Sequence, residues 1–324
     1  MHLTLLVPGL LLPVEILEST TFDLAAPRLS HLLGRGRRRT LPDDALAHLF
    51  GLESIPAAAL RKIGAGKAAP GEWLCLDPVH WQVGARGVTL DDPVRLALVT
   101  AESNALLTAI GPLFADWGEL SASAPGQWEL RLTRPLRLES QDLPSAIQQP
   151  IDPRLPGGAD GPAWRRLLLE AQTVLHAHPV NRAREAAGRP TANSLWPWGF
   201  GALPKRILPA FDTVLCDDPV VAGLCRLAGL DCQPAPPCFQ PAHGRVCAIH
   251  PGLAAAARTL DALAWRESLL DLERDWLAPA LTACRTVSLI GTRLGRQPET
   301  VAFEWKRGDR LRFWRRPQPL TALK

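Results

Sequence analysis

The residue types best suited to chemistry crowd into one stretch, HAHPVNRAREAAGRPTANSLWPWGFG, from His176 to Gly201. Imidazole, guanidinium, carboxamide, hydroxyl and indole groups follow a path set by Gly and Pro, which is the content of a binding loop for a small polar or phosphorylated ligand. In that reading Arg184 pairs with an anion, Asn181 and Asn193 donate hydrogen bonds, and Trp196 and Trp198 wall the pocket. The same residues have a plainer use. Asn181 and Asn193 can tie off loop backbone, the indoles can fill a core, and the glycines can serve tight turns. Ser194 and His178 are the types of a nucleophile and its base, although a hydroxyl there serves equally as a cap or turn.

Three smaller groups compete with this stretch. Asp77 and His80 follow a short apolar run, the position at which α/β sheets place ligands, so either could act as a general base. Asp77-Pro78 is equally the signature of an Asx turn with a surface histidine. Asp217 and Asp218 are paired carboxylates, yet Asp218-Pro219 reads as a helix N-cap followed by Pro at the first helical position. Two basic runs, Gly34 to Arg39 and Lys306 to Arg316, combine arginines with Phe313 and Trp314 and could grip an anion or a single strand. With 36 Lys+Arg against 32 Asp+Glu the net charge is only +4, too weak a footprint for a nucleic-acid binder.

The elements that must position these groups follow from periodicity. Leu3–Val7, Trp73–Leu76, Val88–Val99, Trp128–Leu138, Phe211–Cys216, Arg245–Ile249 and Thr286–Ile290 read as strands. Residues 24–50 read as helical pieces broken by the Gly34–Arg39 run, with Asp43 and Asp44 at a helix start. Leu106, Leu107, Ile110, Leu113 and Phe114 have helical spacing, and so do Trp164, Leu167, Leu168, Ala171 and Leu175, the second helix ending near His178-Pro179. Val220–Ala228 forms a helix closed by Gly229. A long helix is predicted over about 254–276, stopping at Pro279. Val301–Trp305 and Leu311–Trp314 flank Gly308-Asp309 as a terminal hairpin. Alternating strands and helices imply an α/β fold with a mostly parallel sheet flanked by helices and a C-terminal antiparallel hairpin. Residues 141–162, rich in Pro, Gly and Gln, mark a loop or lobe boundary within one domain spanning 1–324.

Hydrophobic residues make up 47% of the chain, enough for a large core, so wholesale disorder is excluded. The 31 Pro and 25 Gly show no triplet period, which excludes collagen. The 7 cysteines are odd in number and form no C-x-x-C pair, the usage of reduced thiols. No apolar run approaches the ~18 residues of a spanning helix. Met1–Leu12 lacks the charged start and cleavage pattern of a leader, so a cytoplasmic protein with no membrane association is expected.

The stretch HPVNRAREAAGRPTANSLWPWGFG resembles the H-P-V-N…R…G…N-x-x-W-x-W-G-x-G segment of archaeal-type cofactor-independent phosphoglycerate mutases, members of the alkaline phosphatase superfamily. With DPVH at Asp77–His80, WRRLLLEAQTVLHAHPVN and FWRR at Phe313–Arg316, the chain looks closer still to the bacterial RpfE-type regulatory proteins. The resemblance implies an alkaline-phosphatase-like fold and a retained substrate segment comprising His178, Asn181, Arg184, Asn193, Trp196, Trp198, Gly199 and Gly201.

It also implies what is missing. The mutases carry an Asp-Gly step after the first strand and an Asp-His pair after a late one, as ligands for two divalent metals, and use a Ser nucleophile. Here those positions read Val7-Pro8-Gly9 and Ile290-Gly291-Thr292-Arg293. A neutral or cationic side chain cannot offset two divalent ions, so no catalytic residue, metal ligand or cofactor is expected. The resulting expectation is a regulatory, non-catalytic mutase-like protein that binds a small phosphorylated or carboxylated metabolite. The alternative is a metal-dependent mutase or phosphohydrolase with a site rebuilt from Asp77, His80, Asp217 and Asp218. A third reading is a protein-interaction module built on the basic C-terminal hairpin.

Overall fold

An apolar run that fits only a buried strand opens the chain and becomes the centre of the larger sheet. The computed structural model describes residues 1–84, 87–294 and 298–323. Its first elements are β1 (His2–Leu11), α1 (Val14–Thr21), α2 (Pro27–Arg35), β2 (Arg37–Leu41) and α3 (Ala45–Phe50). Next come α4 (Ala57–Gly64), β3 (Glu72–Val79), β4 (Trp81–Gly84), β5 (Gly87–Leu90), α5 (Pro93–Leu96) and α6 (Thr100–Ile110). They are followed by β6 (Gly118–Ala124), β7 (Gln127–Leu132), α7 (Leu143–Ala146), α8 (Gly161–Ala177), α9 (Pro179–Ala186) and β8 (Ser194–Ala202). The chain then forms β9 (Thr213–Leu215), α10 (Pro219–Ala228), β10 (Asp231–Gln233), β11 (Arg245–Ile249) and α11 (Ala254–Thr259). It closes with α12 (Ala262–Leu272), α13 (Ala278–Ala283), β12 (Thr286–Arg293) and β13 (Glu299–Lys306).

The chain divides into two compact units, one of Met1–Ser54 with Arg206–Lys324 and one of Ile55–Lys205. The Pro- and Gly-rich residues 141–162 lie inside the second unit, where they carry α7. The first unit holds a seven-stranded sheet in the order β10-β9-β11-β1-β12-β13-β2. β1 runs parallel to β11 and β12, β9 parallel to β10 and β11, and β13 antiparallel to β12 and β2. This is the α/β architecture expected from the sequence, mostly parallel with antiparallel C-terminal strands. Its core is apolar, with Leu5, Leu289, Trp265 and Leu269 fully buried. The second unit is built on a four-stranded sheet, β6-β7-β3-β8, whose neighbours are all antiparallel, with β4 and β5 as a separate pair. One face of this sheet packs Leu74, Leu76, Leu130 and Leu195 against Leu106 of α6 and Trp164, Leu168 and Leu175 of α8. Among the described residues no helix is long and apolar enough to cross a membrane.

Several elements differ from the expectations. The predicted helix over 254–276 is broken at Leu260, whose φ is +55°, and restarts where Asp261 caps α12 through the Ala264 N–H at 3.0 Å. Pro279 does not end the helical path. It sits in the first turn of α13, where its missing N–H costs nothing. A π turn at Glu273–Leu277 precedes it and holds the Glu273 carboxylate against the N–H groups of Arg28 and Leu29, at 2.6 and 2.9 Å. Those two N–H groups belong to the first turn of α2, so Glu273 caps that helix from a distance. The terminal hairpin is formed by β12 and β13, whereas Leu311–Trp314 is not a strand. The Arg37–Arg39 run is β2, an edge strand whose arginines face water and deter edge-to-edge pairing.

Candidate functional site

The stretch from His176 to Gly201 is a helix and a strand rather than a loop, and most of its polar groups are used inside the second unit. The His178 Nδ1 accepts the Val180 N–H at 3.2 Å and so caps α9. Asn181 is buried and donates to the Leu175 and Ala192 carbonyls at 2.8 and 2.9 Å, while its oxygen accepts the Ala192 N–H at 3.0 Å. Arg184, 1% exposed, donates to the Pro190 carbonyl at 2.7 Å, to Glu102 at 2.6 Å and to the Leu96 carbonyl. Burial works against the Glu102 carboxylate, but the Val99 N–H, Arg184 and Arg189 hold its pKa below the usual range. Arg184 therefore already has its anion, and Asn181 has no free donor. Asn193 exchanges hydrogen bonds with the Trp81 backbone at 2.7 and 2.9 Å, as a neighbouring strand would. Ser194 is buried and accepts from Gln172 at 3.0 Å, which replaces the nucleophile reading. The sequence read these residues as one pocket, and the structure distributes them among separate internal braces.

The indoles and glycines of β8 belong to a different assembly. β8 pairs with β3 so that Trp196 faces Asp77 and Trp198 faces Cys75, while Glu129 of β7 lies opposite Cys75 on the other side. Side chains paired in this way share a face. It is the face opposite Leu74 and Leu76, and α4 covers it. Gly199, at φ +60°, leaves room for the helix, since a Cβ there would meet the Ala57 Cβ at 2.7 Å and the Cys75 Sγ at 3.3 Å. At Gly201, φ +145°, a Cβ would press on Pro56 at 3.1 Å. The Trp196 indole N–H is taken by the Gln141 carbonyl at 2.9 Å.

On this covered face sits a buried ionic cluster. Arg61 of α4 reaches both oxygens of Asp77 at 2.8 and 2.9 Å and lies 4.9 Å from the Trp198 ring centre. Asp77 also accepts the Trp128 N–H at 3.0 Å and the Trp198 indole N–H at 2.8 Å. Its oxygens are saturated, so the general-base reading of Asp77 is corrected to a structural one. His80 is likewise engaged, with Nδ1 on the Thr191 carbonyl at 2.8 Å. Lys62 lies 3.2 Å from Glu129, donates to Ser121 at 2.7 Å and sits over the Trp73 ring. Burial opposes the charge of Arg61, but the pull of Asp77 and Glu129 raises its pKa. Burial likewise raises Glu129 against the pull of Lys62, and pushes the Cys75 thiol well up. Arg61, Lys62 and Glu129 escaped the sequence reading. Their signal was two adjacent cations inside an otherwise apolar AAALRKIG helix, and Cys75, Asp77 and Glu129 at the polar alternate positions of two strands.

In the first unit, the carboxyl ends of the central parallel strands are where α/β folds place ligands. β1 turns there at Pro8-Gly9. Gly9 has φ +80°, a Cβ would lie 2.8 Å from that of Ala257, and its carbonyl accepts the Trp265 indole N–H at 2.8 Å. β11 ends at His250, which stacks edge-on to Trp276 at 5.8 Å and whose Nδ1 has no hydrogen-bond partner among the described residues. Burial lowers its pKa, opposed by Asp271 and Asp275. β12 ends at Arg293, whose side chain is 12% exposed; its Nη2 is ion-paired with Glu299 at 3.0 Å, and its Nε has no hydrogen-bond partner among the described residues. Asp218 caps α10 through Val220 and Val221, as its Asp-Pro setting predicts. Among the described residues no three His, Cys, Asp or Glu side chains are grouped to hold a metal ion. Pro8 and Arg293 supply no metal donor, so the residues present do not fit the two divalent ions that the mutase resemblance implies.

The fold is α/β with a mostly parallel larger sheet, and over one short stretch the sequence is similar to 2,3-bisphosphoglycerate-independent phosphoglycerate mutases. Over 55 residues it is 44% identical to the 2,3-bisphosphoglycerate-independent phosphoglycerate mutase of Methanosarcina barkeri, a match covering 17% of this chain and 14% of that protein. The Methanosarcina mazei mutase is 46% identical over 55 residues, again 17% and 14% of the two chains. The match thus spans a small part of those relatives. Among solved structures, the PH0037 protein of Pyrococcus horikoshii superposes with a TM-score of 0.56 at 14% identity, over 99% of this chain and 91% of that one. The cofactor-independent phosphoglycerate mutase of Thermoplasma acidophilum gives a TM-score of 0.41 at 17% identity, over 100% and 94%. No protein-family model matches the chain.

Proposed function

We propose that this is an RpfE-type bacterial regulatory protein that binds a small phosphorylated or carboxylated metabolite without catalysing phosphoryl transfer. The observation that carries the reading is Arg293 at the end of β12, a cation whose Nη2 is ion-paired with Glu299 at 3.0 Å and whose Nε has no hydrogen-bond partner among the described residues. A guanidinium there attracts phosphate or carboxylate, which would compete with Glu299 for it, and repels a divalent cation. His250, at the end of β11, adds a titratable group on the same sheet edge. This relocates the anion site away from His178–Gly201, whose Asn181 and Arg184 donors are already used. No resident cofactor enters the reading, and a divalent metal belongs only to the alternative of a rebuilt mutase or phosphohydrolase. That alternative has no free oxygen on Asp77, whose two oxygens are held by N–H donors, and Asp218 Oδ1 is taken up capping α10. The proposed compartment is the cytoplasm, where the seven free thiols stay reduced.

The test is thermal unfolding of the full chain with 3-phosphoglycerate, 2-phosphoglycerate or phosphoenolpyruvate, each with and without manganese. A ligand at a hundredfold excess over its Kd should add ~2.7 kcal/mol of stability. The expected result is a shift independent of metal, lost in Arg293→Gln and kept in Asn193→Ala. A shift only with manganese favours the enzyme, and no shift with any of these anions sinks the reading.

A second reading, docking to an acidic protein partner, is supported by the segment after β13. Leu311, Phe313 and Trp314 are 76%, 80% and 67% exposed among arginines. Arg35 of α2 grips the carbonyls of Arg310 and Arg315 at 2.6 and 3.2 Å and holds the segment in place. Deleting 306–324 would also remove Leu320 and Leu323 from the core. The cleaner test is therefore Phe313→Ser with Trp314→Ser: loss of binding to immobilised polyglutamate supports this reading, and unchanged binding dismisses it.

A further inference from the structure

At the amino-terminal edge of the parallel strands, opposite the edge that carries Arg293, the charge of the larger sheet is one-sided. β12 begins at Thr286, and β13 ends opposite it at Lys306. One residue further out, the Arg307 N–H donates to the Arg285 carbonyl at 2.9 Å, and the Arg285 N–H donates to the Met1 carbonyl at 3.0 Å. The backbone thus fixes where these side chains start. A cavity of about 570 Å³ opens at this edge, lined by Arg285, Thr286, Lys306, Arg307 and Gly308, with no acidic residue in its lining. The nearby carboxylates are engaged elsewhere, Glu304 with Arg39 at 2.8 Å and Asp309 with Arg312 at 3.1 Å. Among the described residues Arg285 and Lys306 form no ion pair. Arg307 is oriented but not neutralised, because its Nη2 donates to the uncharged Thr282 carbonyl at 3.1 Å. Three like charges held at one concavity repel each other, and an anion between them relieves that repulsion.

We propose that this cavity is a phosphate-binding site, in which Arg285, Lys306 and Arg307 hold a phosphate dianion that is either free or carried on a small ester. The two guanidiniums offer forked N–H donors to its oxygens, and the Lys306 ammonium adds a compact charge. The Thr286 hydroxyl, 2.7 Å from His2 Nδ1, contributes a polar atom to the wall. A carboxylate brings one negative charge to three positive ones, whereas a phosphate dianion offsets two. Charge therefore favours phosphate, and it excludes a divalent cation. The volume falls within the ~300–1,000 Å³ of small-molecule sites, so the organic part of a small ester fits as well. This site is separate from the one proposed at Arg293. β12 runs eight residues from Thr286 to Arg293, which at ~3.3 Å per residue sets the two ends roughly 23 Å apart.

The test is phosphorus NMR line broadening of inorganic phosphate and of glycerol 3-phosphate, each titrated with the full chain at fixed ionic strength. The expected result is saturable broadening, with Kd raised about tenfold by Arg285→Gln or by Lys306→Gln, the effect of losing one charge-assisted hydrogen bond. Broadening of inorganic phosphate alone assigns the site to the free ion, and broadening of both probes assigns it to small esters as well; either supports the proposal. Gly308 gives a second handle. A Cβ there would meet nothing within 4 Å, so Gly308→Asp adds a competing carboxylate without a clash and should weaken binding, while the neutral Gly308→Asn should not. Arg285, Lys306 and Gly308 are all exposed, so these changes leave the core intact. No broadening of either probe, unchanged broadening in the double variant Arg285→Gln with Lys306→Gln, or equal effects of Gly308→Asp and Gly308→Asn would each overturn the proposal. Broadening lost in Arg293→Gln but kept in that double variant would also overturn it, while upholding an anion site at the end of β12.

Discussion

Beside β1 the larger sheet surrounds itself with leucine, valine and tryptophan, and Leu5, Val7 and Leu289 lie buried in that apolar cluster. The smaller sheet does this on one face and on the other encloses Arg61, Lys62, Asp77 and Glu129. The two faces of the smaller sheet are written by alternate residues of the same strand, Leu74 and Leu76 against Cys75 and Asp77. The contrast teaches where each unit is fragile. Apolar packing loses stability in proportion to what is removed, whereas a buried ion pair loses most when only one partner goes, because the other is left charged and dry.

The sharpest break of that contrast is Asp77→Ala, which strands Arg61, the Trp198 indole N–H and the Trp128 N–H. A loss of about 3–5 kcal/mol is expected in urea unfolding. The paired variant Arg61→Met with Asp77→Leu should recover most of it, and a double variant as weak as the single one would show that the pair is worth more than packing. Next comes Leu289→Ala in the larger sheet, expected to cost about 2–5 kcal/mol with no partner substitution able to restore it. Asn181→Ala takes the side-chain partners from the Ala192 carbonyl and N–H and one of two donors from the Leu175 carbonyl, and should cost about 1–3 kcal/mol. If it were instead neutral for stability and abolished metabolite binding, the bracing role would be wrong.

The smallest effect is in pH. Burial keeps His250 neutral in the folded chain, while the unfolded imidazole takes a proton near pH ~6.5. The folded pKa is the lower one, so the unfolded chain binds more protons between the two values, and stability is lost as pH falls below about 6.5. His250→Asn should flatten that loss between pH 7 and 5, as read by urea midpoints at fixed ionic strength. An unchanged slope would mean that other groups carry it.

Legibility varied with the range of the interaction. The strand at Leu3–Val7, the helix from Trp164 to Leu175 and the Asp218-Pro219 start of α10 were readable because periodicity and caps are local. The break at Leu260 was hidden because one left-handed residue interrupts an otherwise continuous apolar pattern, and the hairpin was placed one element late because Phe313 and Trp314 look like strand residues but stay in solvent. His178, Asn181, Arg184, Asn193, Trp196, Trp198, Gly199 and Gly201 stood out by type. Their partners, Glu102, Leu96, Trp81, Gln141, Asp77 and Ala57, lie far from most of them in sequence.

Composition, spacing and turn chemistry were sufficient for the α/β class, the parallel core, and the absence of acidic residues at Pro8 and Arg293. Those features depend on residue identity and on neighbours a few positions away. Which polar groups remain free was decided only in three dimensions. A hydrogen bond between Arg184 and Glu102, or between Asp77 and Trp198, exists only once the chain has brought distant segments within 3 Å. Low dielectric then makes it costly to leave any such group without its partner.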